Sequence, residues 1–229
     1  MSTATPDLTN YRQVHHALRR AARRLAVAAR QLDPTDRRRV KAFATYWKGY
    51  AGEILCHHTI EDDHFFPALV QQVATGAAAL AAIDGDHDHL DLLMITIDAE
   101  VAQVAAGAGT AVLCELLDEL AEHMDTHLDV EDRDLLPLFE RHFTAEEYEA
   151  LDARAIKALG LGRQAAFTVP FIAEAATPEA RAAMLGGAPL PFRVLYRLTR
   201  GRHARLAATA LGDATADDAR RALTPLAVK

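Results

Sequence analysis

Two stretches decide the fold: HHTIEDDHFFPAL at residues 57–69 and HLDVEDRDLLPLF at residues 127–139. Each reads His, three residues, Glu-Asp, two residues, two apolar residues and Pro, and Glu61 and Glu131 stand 70 residues apart. A further histidine precedes each copy at a similar distance, His15 lying 42 residues before His57 and His87 lying 40 before His127. The chain therefore reads as a duplicated hairpin. On a helix, side chains at i and i+4 leave one face a turn apart, so each copy aims an imidazole and a carboxylate the same way. Two such hairpins face to face would gather four histidines and two glutamates. That nitrogen and oxygen set suits two transition-metal ions and contains no thiolate.

Working outward, apolar residues recur at three- and four-residue steps almost everywhere, and period-two runs of β-branched and aromatic residues are missing, which predicts an all-α chain. Tyr11, His15, Leu18, Ala22, Leu25, Ala29 and Leu32 form the seam of a first helix, closed by Asp33 and Pro34. A second seam runs through Phe43, Trp47, Tyr50, Ile54, His57, Glu61 and Phe65, with fraying or a kink expected near Pro67. The third takes Leu80, Ile83, His87, Leu90, Met94, Ile97, Val101 and Val104, between Gly76 and a turn at Gly107 and Gly109. Leu113, Leu117, Leu120, Met124, His127, Glu131 and Leu138 make the fourth. Short connections favour antiparallel neighbours, so residues 8–142 are expected to form an up-down-up-down four-helix bundle.

Residues 143–229 are expected to be a C-terminal helical extension packed on the bundle, because no low-complexity linker separates the two parts. Thr144 and Glu147 have the spacing of a capping box, and Thr177-Pro178 reads as another helix start. APLPF at 188–192 breaks the chain before a last amphipathic helix ending near Leu211, and DDARRAL at 217–223 could form a short one.

Composition narrows the function. A chain of 229 residues can bury a core without staples, and two cysteines, Cys56 and Cys114, make neither a disulfide framework nor a Cys-rich zinc site. That usage suits a reducing compartment, and the N-terminus lacks the basic and then apolar pattern of a signal peptide, so the cytoplasm is the expected location. No apolar run approaches membrane-spanning length, and a net charge of −7 with pI about 5.9 argues against generic nucleic-acid binding. A monomer or homodimer is expected.

A histidine on an apolar seam is usually a satisfied core residue, but four on four helices, with two glutamates on the same seams, point to cations. Burying an unpaired carboxylate costs several kcal/mol or forces it neutral. Histidinium partners that merely fix helix register are the plainer alternative. His16, His58 and His89 sit one or two residues from seam histidines, a rotation of about 100–200°, which places them outside the expected ligand set. Without sulfur, iron leads as the metal, with manganese second and zinc third. Two six-coordinate ions offer about 12 positions, and four imidazoles, two bridging carboxylates and a bridging oxygen leave about two open. A ferritin-like bundle would need Glu-x-x-His on two helices, and only Glu61 and His64 fit.

VHHALRR, HHTIEDDHFFP, DHDHLD and HLDVEDRDLLP, taken in order over the first 142 residues, resemble the hemerythrin-like, or HHE cation-binding, family. The resemblance implies that His15, His57, Glu61, His87, His127 and Glu131 hold two non-haem iron ions, bridged by oxo or hydroxo, and take up oxygen or a related small molecule. The family's oxygen carriers add a fifth histidine, four residues from another on the third helix. Here Ile83 and Asp91 flank His87 at that spacing. Asp91 could supply an oxygen ligand, His123 a nitrogen from the fourth helix, or the position could stay open to water and substrate.

Bland roles are expected elsewhere: Trp47 and Tyr50 in the core, Cys56 as a small buried residue, and Arg193, Arg197 and Arg200 as a solvated stripe. Tyr11, one turn before His15, is placed to hydrogen-bond near the site. The leading functional expectation is a redox-active di-iron protein that binds or converts oxygen, peroxide or nitric oxide. The alternatives are a non-enzymatic oxygen- or iron-sensing or oxygen-binding module that signals to a protein partner through its C-terminal helices, and a metal-free scaffold.

Overall fold

The computed structural model describes residues 4–73, 80 and 84–212. Ile83, Gly76 and the segment at 217–223, all invoked above, lie outside the described residues. The helices are α1 (Thr9–Arg30), α2 (Arg37–Ile60), α3 (Phe66–Gln72), α4 (Asp84–Ala106), α5 (Ala111–Val130), α6 (Leu136–His142), α7 (Ala145–Leu159), α8 (Ala165–Ala175), α9 (Pro178–Gly187) and α10 (Leu190–Leu211). There is no strand among the described residues, and no helix long and apolar enough to cross a membrane.

Helices α1, α2, α4 and α5 pack in a ring, α1 on α5, α5 on α4, α4 on α2 and α2 on α1. Described seam residues turn inward as expected: Leu18, Ala22, Leu25 and Ala29 of α1, Phe43, Trp47, Tyr50 and Ile54 of α2, Leu90, Ile97 and Val104 of α4, and Leu113, Leu117, Leu120 and Met124 of α5 are all buried. Gly107, at φ 108, makes the turn between α4 and α5, a conformation open to glycine at little cost.

At Pro67 the helix neither frays nor stops. Glu61–Phe65 and Glu131–Leu135 are π turns, one in each copy of the motif. The Phe66 N–H donates to the Glu61 carbonyl and the Leu136 N–H to the Glu131 carbonyl, five residues back in both cases. The cause lies one residue on: a proline nitrogen has no hydrogen to donate, and its ring crowds the carbonyl four residues earlier. Widening the turn relieves the crowding while the helix continues. The extra residue also lets two consecutive apolar side chains turn inward, Phe65 with Phe66 and Leu135 with Leu136.

The apolar interior is split in two along the bundle. One cluster fills the end containing Leu18, Tyr50, Ile97 and Leu120. The other joins Tyr11, Phe65, Phe66, Leu135, Leu136 and Phe139, with Tyr148 and Leu151 of α7 closing it. Between them lies a polar layer, because every seam changes character there: Tyr11, His15, Leu18 on α1, and Met124, His127, Glu131, Leu135 along α5 and its π turn.

The C-terminal helices lie against α1 and α2. The capping box is present, Glu147 N–H donating to Thr144 Oγ1 at 3.3 Å and Thr144 N–H to Glu147 Oε2 at 2.8 Å. α8 comes close enough to α2 that a Cβ on Gly49 would lie 2.4 Å from the Phe167 ring, and one on Gly52 2.5 Å from Gln164 Oε1. Glycine costs helix stability, about 1 kcal/mol against alanine, and here makes the groove that seats α8. Phe171 joins the first apolar cluster together with Ala207, Ala210 and Leu211 of α10. Glu174 binds these pieces together: Arg24 Nη1 lies 2.8 Å from its Oε1, and His203 Nδ1 3.2 Å from its Oε2.

Burial would raise the Glu174 pKa, but hydrogen bonds and charges from His203 and Arg24 outweigh it and hold the group at about 2. A folded-state pKa below the unfolded one adds stability that is complete above about pH 4.5 and is lost as pH falls from there towards 2. Glu174→Gln is expected to cost about 1–3 kcal/mol at pH 7, since the carboxylate is partly exposed but Arg24 is buried. Denaturant unfolding of both proteins from pH 7 to pH 2.5 should show the difference shrinking only below about pH 4.5. A constant difference would reject the ion pair as its source.

Candidate metal centre

The polar layer is built by α1, α2, α4, α5 and the two π turns. His15, Glu61, His127 and Glu131 are fully buried, and His57 and His58 nearly so. Two groups of donor atoms gather there, each within 4.8 Å: His15, His57, Glu61 and Glu131 in one, and His58, His87 and His127 in the other. The glutamates lie between them. Glu61 Oε1 is 3.2 Å from His57 Nε2, and its Oε2 is 3.8 Å from His87 Nε2. Glu131 Oε2 is 3.3 Å from His15 Nε2, and its Oε1 is 3.4 Å from His127 Nε2.

All six seam residues are thus brought together. His58 is with them, contrary to the expectation that a one-residue step would turn it away. A layer in the middle of four helices spans a wide arc as seen from any one of them, so α2 can present two consecutive side chains to it. His57 faces His15, their ring centroids 5.1 Å apart, while His58 stacks on His87 at 3.9 Å and 8°. Neither Asp91 nor His123 belongs to either group. Asp91 is partly buried on α4. His123 Nε2 lies 3.9 Å from Asp86, and its ring packs against that of the half-exposed His89.

Three of the imidazoles turn their other ring nitrogen towards an aspartate. His15 Nδ1 is 2.8 Å from Asp132 Oδ1, His87 Nδ1 3.4 Å from Asp62 Oδ1, and His127 Nδ1 3.6 Å from Asp86 Oδ2. Asp132 also takes Arg19 at 2.8 Å. A carboxylate on one nitrogen fixes the tautomer and leaves the other with a lone pair to offer. The two motif aspartates are exchanged: Asp132 of the second copy serves His15 of the first half, and Asp62 of the first serves His87 of the second. Tyr11 donates from its hydroxyl to Glu61 Oε1.

Burial dominates the electrostatics. It raises Glu61 to about 8 despite the Tyr11 hydrogen bond, and raises Glu131, with the charges of Glu61 and Asp132 adding. It lowers His57 and takes His58 to about 2 and His127 to about 3, neighbouring imidazoles adding in each case. His15 is lowered by burial in spite of Asp132. Held neutral, these imidazoles can act as ligands. Nε2 of His15, His57, His58, His87 and His127, together with Glu61 Oε2 and both Glu131 oxygens, are buried with no hydrogen-bond partner. So many orphaned acceptors converging on one layer is costly unless something electropositive meets them. Divalent or trivalent cations fit the donor set.

Compared with known families, residues 7–139 match the model of the hemerythrin HHE cation-binding domain. No curated protein and no solved structure matches the chain.

The geometry separates His58 from the other near-seam histidines. His58→Ala is expected to weaken metal retention about 10- to 100-fold, as is Asp132→Asn, which removes the negative charge beside His15 Nδ1. His16→Ala, on the exposed face of α1, should leave it unchanged. Chelator competition followed by metal analysis checks this, and equal behaviour of His58→Ala and His16→Ala would remove His58 from the site.

Proposed function

The chain belongs to the hemerythrin HHE cation-binding domain family, and from that premise we propose that it holds two non-haem iron ions and binds or converts oxygen, peroxide or nitric oxide. The observation that carries this reading is the set of five inward Nε2 atoms and three glutamate oxygens left without partners. His58, His87 and His127 would hold one ion, His15 and His57 the other, and Glu61 and Glu131 would bridge them. The sulfur-free set favours iron over manganese and zinc. Bound there, an iron pair supplies one-electron exchange between ferrous and ferric states and a place for a small ligand.

The chain's own residues set the conditions. Asp132 holds the His15 imidazole in one tautomer, Asp62 and Asp86 place negative charge beside His87 and His127, and Tyr11 holds Glu61 through a phenol proton. Apolar clusters pack against the layer on either side along the bundle. A fifth imidazole changes the count made from sequence: of about 12 positions on two six-coordinate ions, about one remains. The group containing His15 and His57 is one imidazole short of the other, and Tyr11 lies against it, its ring centroid 4.8 Å from that of His15.

His58 favours a second reading as well. With about one free position, reversible uptake by an oxygen-binding or sensing module competes with conversion, which gains from a neighbouring site for water or a second reactant. In that reading a protein partner would read the state of the layer through α8 and α10, which pack on α1 and α2.

Protein loaded with iron is expected to carry about two iron atoms per chain and to gain near-ultraviolet charge-transfer absorption. Iron at trace level after loading would reject the di-iron reading. Mixing the reduced protein with oxygen, peroxide and nitric oxide in turn then separates the two uses. Turnover supports conversion, and repeated release of intact oxygen without turnover supports the binding module.

A further inference from the structure

Between the bundle and the C-terminal helices lies a cavity of about 460 Å³, partly open to solvent. Its inner end is the edge of the metal layer, formed by Tyr11, His57 and Glu61. Its far wall comes from α7, α8, α9 and the start of α10, with Ile156, Val169, Met184 and Phe192 among the lining side chains. These helices follow residue 139, where the family match ends. The wall lies outside the family match.

Size rules out a site made for a diatomic molecule alone. A water molecule takes about 30 Å³ of the liquid, and sites for organic ligands span about 300–1,000 Å³. Charge narrows the class. Among the described residues, the acidic side chains at the cavity are Asp7, Glu53, Glu61 and Asp152, and no Lys or Arg lines it. Glu53 is committed to α8, accepting from Gln164 Nε2 at 3.2 Å and from the Thr168 hydroxyl, and Asp152 accepts from Asn10 Nδ2 at 3.1 Å. Away from the metal layer, an anionic head group would meet Asp7, Glu53 and Asp152, with no Lys or Arg side chain to offset its desolvation. An uncharged or cationic one would not.

We propose that this cavity binds an uncharged or cationic apolar organic molecule, whose inner end rests against Tyr11 and His57 beside the metal layer. Access to that side of the centre then passes through a site that discriminates by shape and charge. The occupant buries its apolar body against Ile156, Val169, Met184 and Phe192, and its contact with the Tyr11 phenol couples it to Glu61.

The test uses the full metal-loaded chain and a matched pair of fluorescent probes with the same rings, uncharged N-phenyl-1-naphthylamine and the sulfonate 8-anilinonaphthalene-1-sulfonate. The uncharged probe is expected to bind one per chain and at least about tenfold tighter than the sulfonate. Decanol and decylamine should displace it, and decanoate should not. Ala180→Trp and Ala183→Trp place bulk in the cavity from α9, a helix with no fully buried residue, and are expected to weaken the probe about tenfold with metal content and Tm unchanged. Equal binding of the two probes, displacement by decanoate as effective as by decanol, or indifference to both tryptophans would overturn the proposal. Should a tryptophan variant fail to fold, the competition series on the unsubstituted protein decides. Probe binding to protein that takes up no iron would reject the di-iron reading and keep the cavity. Iron uptake without probe binding would do the reverse.

Discussion

Everything in the bundle is arranged around two carboxyl groups that have no business being dry. Glu61 and Glu131 sit at the centre of the helix ring, fully buried, their oxygens facing imidazole nitrogens that have no hydrogen-bond partner. In the absence of a cation, burial pushes both carboxyls towards the neutral acid and the imidazoles towards the neutral base. Such a layer contributes little to holding helices together. It persists because apolar clusters above and below fix the helices, and Leu18, Tyr50 and Leu120 on one side and Phe65, Leu135 and Phe139 on the other leave the layer little room to collapse.

The duplication explains how a small motif builds such a layer. Each half brings a lone histidine, then a His and Glu one turn apart, then an Asp beside the Glu. An isolated half would bring its own histidines and glutamate but not the aspartate that orients its first histidine, because Asp132 and Asp62 cross over to His15 and His87. The π turns follow the same twofold logic, a proline at position 67 or 137 widening the turn that begins at each glutamate. Folding of one half therefore cannot complete the donor set. Any cation held there is a link between the halves, and its binding energy becomes folding energy.

Much of this was legible in the residues, and the parts that were not share a cause. Helix seams depend on local periodicity, so α1, α2, the described part of α4, and α5 could be read directly, and six donors fell on those seams. Phase alone misplaced His58, because the one-face rule suits a helix packed against a single neighbour, whereas a layer enclosed by four helices accepts side chains across a wider arc. His87 at the same level on α4 was the available signal, since a ring stacked on it needs a partner from α2 one residue past His57. The prolines announced a break in regularity, yet choosing between a frayed end and a π turn required the apolar pairs Phe65-Phe66 and Leu135-Leu136 to be read as jointly buried. Gly49 and Gly52 carry no such local signal within α2. Their purpose appears only when Phe167 and Gln164 arrive from more than a hundred residues away.

The same long-range packing divides the chemistry between two sources. The motif fixes which atoms can hold a cation, whereas the environment of that cation on the Tyr11 side is set by helices that carry no motif. α8 is held there by a buried carboxyl, Glu53, which accepts from Gln164 and Thr168, and by Glu174 against Arg24 and His203. Those contacts anchor α8 and α10, while α9 spans the gap between them with no fully buried residue of its own. A firmly anchored frame with a loosely held strut can vary the strut without disturbing the donor layer. Differences in what reaches the centre should therefore be sought in residues 178–192 before they are sought among the histidines.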